Sequence, residues 1–132
     1  MRTINEQIYE KLIRLIPDLL NMESGDYMKS ISKGYMDLSL DMLSSNDDQI
    51  IIALAHNYVS NGDIVPDPDM EIRIFKNSKS AEALTYQDIR TYDCVYDDEN
   101  NADQKLQNSL NSFLNTWLKN CIGQQHKLIR TS

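Results

Sequence analysis

MDLSLDMLSSNDDQIIIALAHNYV, residues 36–59, decides the fold. At its start Met36, Leu38, Leu40 and Met42 alternate with Asp37, Ser39 and Asp41, the two-residue period of a strand with one buried and one wet face. Ser45-Asn46-Asp47-Asp48 is a run of turn formers. Ile50–Val59 is then a nearly continuous apolar run, β-branched at its start and bounded by turns, so it reads as a central strand. A turn of a few residues joins the two, which predicts an antiparallel hairpin.

On the N-terminal side the period changes to helical. Ile4, Ile8, Leu12, Leu15, Ile16, Leu19 and Leu20 form one apolar stripe, and Thr3 with Glu6 has the pattern of a capping box. Pro17 removes a backbone donor inside this run, so the helix should kink or break near Ile16 and stop by Ser24-Gly25-Asp26. On the C-terminal side, residues 60–69 hold two prolines and an Asn-Gly pair and read as a stiff loop. Met70, Ile72 and Ile74 alternate as another strand. Ala81–Ile89 and Thr91–Tyr96 read as two strands or one bent strand, and Asp97–Asp103 as an acidic loop. The last helix has Leu106, Leu110, Phe113, Leu114, Trp117, Leu118, Cys121 and Ile122 on one stripe, with Asp103 or Asn101 as N-cap and Gly123 just past its end.

Each element has one apolar side. The economical arrangement is an α+β fold, an antiparallel sheet of about five strands with the N- and C-terminal helices packed on one face. The 132 residues suit one domain, expected over residues 1–123, with a frayed tail at 124–132. No apolar run approaches a membrane span, and Glu6, Glu10 and Lys11 interrupt any signal-peptide core, which predicts a cytoplasmic protein without membrane contact. A net charge of −7 disfavours direct nucleic-acid binding. The exception is residues 104–132, which hold Lys105, Lys119, Lys127 and Arg130 and no acid, either an anchor for an anion or a complement to an acidic body.

Chemistry-bearing side chains are densest between His56 and Glu71. His56 shares a strand face with Ile52, Leu54 and Tyr58, and shortly beyond it come Asn61, Asp63, Asp67 and Asp69. An enzymatic reading makes His56 a general base oriented by one of these aspartates, and the carboxylates a site for a divalent cation such as Ca²⁺ or Mg²⁺. The bland alternative is a hydrogen-bonded histidine of a half-buried face, with Asn61-Gly62-Asp63 as a turn. Two prolines interrupt the acids, no EF-hand spacing is present, and no nucleophile elbow, phosphate loop or HExxH motif accompanies them. No catalytic residue is assigned. Cys94 and Cys121 stand apart, in no zinc-ligand spacing, and read as small buried thiols. The seven tyrosines suit the uncovered sheet face, where amphipathic rings recognise proteins.

The stretch Ala53–Glu71 resembles a segment of small uncharacterised bacterial domains carried on plasmids and integrative elements. There an apolar strand ending in Ala-His-x-Tyr runs into Asn-Gly-Asp and then Asp-Pro-x-Met, here Ala55–Tyr58, Asn61–Asp63 and Asp67–Met70. The acidic loop followed by a Leu-rich helix with Asn115-Thr116-Trp117-Leu118 is similar to the end of the YqiB-like family of uncharacterised proteins. The resemblance implies a bacterial or mobile-element setting and no reaction, and it draws attention to His56, Tyr58, Asn61, Asp63, Asp67 and Asp69.

The expectation is a non-enzymatic protein-binding or accessory module with a protein partner and no required cofactor. A sharper form is an acidic mimic of nucleic acid built on Asp93, Asp97, Asp98, Glu99 and Asp103. The alternative is a small divalent-metal-dependent hydrolase centred on His56 and the Asp63–Asp69 loop.

Overall fold

The computed structural model describes residues 2–129. Its elements in chain order are α1 (Ile4–Leu15), β1 (Tyr27–Ser30), β2 (Asp37–Ser45), β3 (Gln49–Ser60), β4 (Asp63–Phe75), β5 (Ser80–Ala83), β6 (Thr85–Gln87), β7 (Tyr92–Cys94) and α2 (Gln104–Gly123). The pairing is antiparallel throughout. The fold is therefore α+β, but the sheet has seven strands in the order β1-β2-β3-β4-β6-β7, with β5 also on β4, rather than about five. The additional strands are short, and strands of three or four residues show too few turns of alternation to register as a period.

The hairpin forms as its alternation requires. Leu38 faces His56, Leu40 faces Leu54 and Met42 faces Ile52 across β2 and β3. On β4, Met70, Ile72 and Ile74 continue the inward rows, and all these apolar residues are buried with Ala81 and Ala83 of β5. Against them lie Ile8, Leu12 and Leu15 of α1 and Leu114, Trp117, Leu118 and Cys121 of α2, in one continuous core. Each buried leucine or isoleucine contributes roughly 1.5–3 kcal/mol relative to an exposed one.

Polar side chains fix the two helices relative to the sheet. Asn115 accepts from Lys11 Nζ at 2.8 Å and donates to Gln7 Oε1 at 3.1 Å, joining α2 to α1. Asn111 Oδ1 accepts from the Ala83 amide at 2.9 Å, and Asn5 donates to the Ala81 carbonyl at 2.9 Å, so both helices clasp β5. Helix α1 opens with the Thr3–Glu6 capping box and ends at Leu15, just before Pro17. Asp103 caps α2 through the Leu106 amide.

Several sequence expectations change. The loop assigned to residues 60–69 is mostly strand: Asn61 and Gly62, at φ 53° and 84°, make a two-residue turn and β4 begins at Asp63. The prolines are accommodated because the register slips there, with Asp67 and Pro68 together lying opposite His56. Gly123 is the last residue of α2 and Gln124 its C-cap. The expected fraying after residue 123 does not describe residues 124–129. His126 and Leu128 are buried, and the Leu128 amide donates to the Leu15 carbonyl at 2.8 Å. Arg130 and the end of the expected tail lie outside the described residues. Among the described residues no helix is long and apolar enough to cross a membrane.

Candidate functional site

The core side of the sheet gathers the reactive side chains around His56. The Trp117 indole donates to His56 Nδ1 at 2.9 Å, and Cys121 Sγ lies 3.5 Å from His56 Nε2. An indole nitrogen only donates, so Nδ1 is the bare nitrogen and Nε2 carries the proton that faces the sulfur. Burial first, and then the positive potential of nearby His126, lowers the His56 pKa to about 4. Burial also pushes the Cys121 thiol up to about 12. A thiol whose proton is held this tightly, beside an imidazole aiming its own proton at the sulfur, is the reverse of an activated nucleophile.

His126 completes the cluster, its ring centroid 5.7 Å from that of His56. Its Nε2 lies 3.0 Å from the Met36 carbonyl, an acceptor only, so Nε2 donates. Its Nδ1 then accepts from Ser30 Oγ at 2.9 Å, while Ser30 Oγ accepts from the Lys127 amide at 3.1 Å. The residues after α2 are thereby tied to β1 through saturated polar groups.

The aspartates lie elsewhere. In a pleated strand neighbouring side chains point to opposite faces. Asp69 pairs with Ala55 and faces away from the core, while His56, the next residue, faces into it. Asp63 pairs with Ser60 beside the turn, and Asn61 forms that turn. Asp67 is in the bulge, close enough to Tyr86 to act on it: burial, the Asp88 hydrogen bond at 2.8 Å and the charges of Asp88, Asp67 and Asp93 push that phenol up to about 12. Asp63 and Asp69 are thus set apart from His56, and Asp67, though opposite it in the bulge, is not among its hydrogen-bond partners, which are Trp117 and Cys121. Among the described residues no group of three or more His, Cys, Asp or Glu is placed to hold a metal ion.

Tyr58 belongs to a different assembly, a groove of about 340 Å³ lined by Tyr27, Lys29, Asp37, Asn57, Tyr58, Val59 and Ile64. Lys29 pairs with Asp37 at 3.2 Å, and Asn57 donates to Ser39 Oγ at 2.9 Å. The groove lies at one end of the sheet. There β3 and β4 run on past Asp37, the first residue of β2, as a two-stranded arm tipped by Asn61-Gly62. Val59 and Ile64 on this arm are 73% and 70% exposed. The β1–β2 connection emerges at the same end and exposes Ile31, Tyr35 and Met36. The β6–β7 turn points the same way, because Gln87 pairs with Asp69 and the chain then turns, exposing Ile89 and Tyr92. Exposed apolar side chains from three connections thus converge on one end.

The tyrosines do not tile one face. Tyr9 is buried in the core, Tyr86 and Tyr96 pack against it half-buried, and Tyr27, Tyr35 and Tyr92 are exposed. Cys94 is exposed, not buried. In the acidic loop, Asp97 accepts from the Glu99 and Asn101 amides and Asp103 caps α2, so these two carboxylates serve the backbone. The basic C-terminal segment contributes Lys127 to a second concavity of about 500 Å³ with Arg14, Pro17 and Ile122. The C-terminal ends of α1 and α2 meet there, and their partial negative charge offsets the two cations.

The sequence points to His56, and to Trp117 and Cys121 as members of the α2 stripe with Cys121 buried as expected, but not to His126 or to the meeting of all four, which are distant along the chain. The signal for the exposed end was present: Val59 and Ile64 are apolar residues flanking an Asn-Gly turn, beyond the reach of the helices. Residues 7–127 match the family model described as a domain of unknown function, DUF6908. No curated protein and no solved structure matches the chain.

Proposed function

We propose, for a chain that belongs to the DUF6908 family, that it is a non-enzymatic binding module whose protein partner docks on the end of the sheet formed by the β3–β4 arm and its neighbouring connections. One observation carries the reading: Val59, Ile64, Ile31, Tyr35, Ile89 and Tyr92 are all exposed there. Exposed apolar side chains gathered at one end of a folded protein suit a contact site, and aromatic residues among them are typical interface residues. The net charge of −7 favours a protein over nucleic acid as that partner. The binding reading is favoured over the metal-dependent hydrolase because Asp69 faces away from the core into which His56 points.

The test is retention of proteins from a bacterial lysate by immobilised protein, parent against Val59→Ser/Ile64→Ser. The double variant should melt like the parent and lose the proteins that the parent retains; equal retention would contradict the proposal. A parallel melting series with Mg²⁺, Ca²⁺, Mn²⁺ and Zn²⁺ should be flat. A rise of the parent's melting temperature that Asp67→Asn/Asp69→Asn abolishes would restore the metal reading, since a ligand of the native state stabilises it.

A further inference from the structure

The sheet face away from the helices continues from this groove, with Ser39 and Ala55 buried along its central strands and Asp41 exposed. Register places Asp41, Ala53 and Glu71 in one row across β2, β3 and β4, and Ser39, Ala55 and Asp69 in the next. Beside the small residues of the central strand Asp41 is exposed and Asp69 and Glu71 are half-buried. Of the cations on this face, Lys29 pairs with Asp37 at 3.2 Å, and Arg73 lies over the Tyr96 ring at 5.3 Å with its Nε buried and without a hydrogen-bond partner among the described residues. Asp41, Asp69 and Glu71 form no salt bridge among the described residues.

We infer that the groove and this face receive an extended basic polypeptide segment, with an apolar side chain seated among Tyr27, Tyr58, Val59 and Ile64 and its Lys or Arg side chains on Asp41, Asp69 and Glu71. This deepens the binding reading above and rests on it. Spacing supports an extended occupant. Asp69 and Glu71 are two residues apart on β4, about 7 Å, which is also the repeat of like-facing side chains in an extended chain. Asp41 and Glu71 stand across an intervening strand, about 10 Å between backbones, which suits separate cationic side chains better than one shared ion. Burial and the charge of Asp41 hold the Asp69 carboxyl above its usual pKa, a like-charge cost that a bound cation relieves. A second copy of the chain would bring the same carboxylates and a further net −7, so self-association through this face is opposed.

The probe is a short synthetic peptide alternating Lys and Ser with one central Trp, titrated at low salt and followed by fluorescence anisotropy. Binding should weaken as salt rises, and roughly tenfold in Asp41→Asn/Asp69→Asn. It should be unchanged in Asp97→Asn/Asp98→Asn, which removes the same charge from the loop before α2. Equal weakening in both variants, or no binding of the Lys peptide, would overturn the inference. If the peptide fails while Val59→Ser/Ile64→Ser still loses its lysate proteins, the basic occupant falls and the binding module stands. If that arm variant keeps them, both fall.

Discussion

The core face of β3 at His56 and the arm that β3 and β4 form three residues further on make opposite use of their side chains. On the core face, His56, Trp117, Cys121 and His126 are buried and every polar atom described there has a partner. At the arm, Val59 and Ile64 are mostly exposed and line a groove. The residue types associated with catalysis sit in the closed region and hold the fold together. Ordinary aliphatic side chains form the open one. Residue type alone draws attention to the closed region; solvent access and hydrogen-bond saturation distinguish it from the open one.

Truncation in the closed region should have the largest effect. Trp117→Ala removes a buried indole and leaves His56 Nδ1 without its donor, and should cost about 3–5 kcal/mol in denaturant unfolding. Val59→Ser/Ile64→Ser should change stability by less than about 1 kcal/mol. A comparable loss in both would erase the contrast.

Acid should act through the same cluster. Both histidine pKa values are lowered by burial, His56 from 6.5 to about 4. The native state therefore binds fewer protons than the unfolded chain between these values. Stability from this source is complete above pH 6.5 and declines as pH falls toward 4, by about 1.4 kcal/mol per pH unit for His56. Melting curves over that range should show the decline in the parent, and His56→Gln should flatten it. An unchanged slope in that variant would show that His56 is not the group responsible.

Thiol chemistry sharpens the comparison with little effect on stability. Cys94 is exposed and Cys121 buried beneath His56, so a thiol reagent should modify Cys94 promptly in the folded protein and Cys121 only on unfolding. Cys94→Ser should abolish the prompt reaction. Prompt labelling of Cys121 would mean that the cluster opens in the native state.

Much of the fold is legible in the sequence because long elements repeat their period often enough to be read. The β2–β3 hairpin, the Thr3–Glu6 capping box and the α2 stripe all form as expected. What was not legible depends on pairing at a distance. Residues 63–69 become strand despite Pro66 and Pro68 because β3 supplies a partner and a bulge absorbs the irregularity. Residues 124–129 are ordered because Ser30, Met36 and Leu15 provide hydrogen-bond partners far back in the chain. The candidate site was half visible. His56 faces the core as its alternation says, while Asp69, paired with the preceding Ala55, faces the other way, since one step along a pleated strand changes the face.

The most direct test of the central claim is to measure melting temperature and protein retention together in His56→Gln and Val59→Ser/Ile64→Ser. The account predicts that the first melts lower and retains what the parent retains, while the second melts like the parent and retains nothing specific. A folded His56→Gln protein that loses its partners, with the arm variant keeping them, would contradict it.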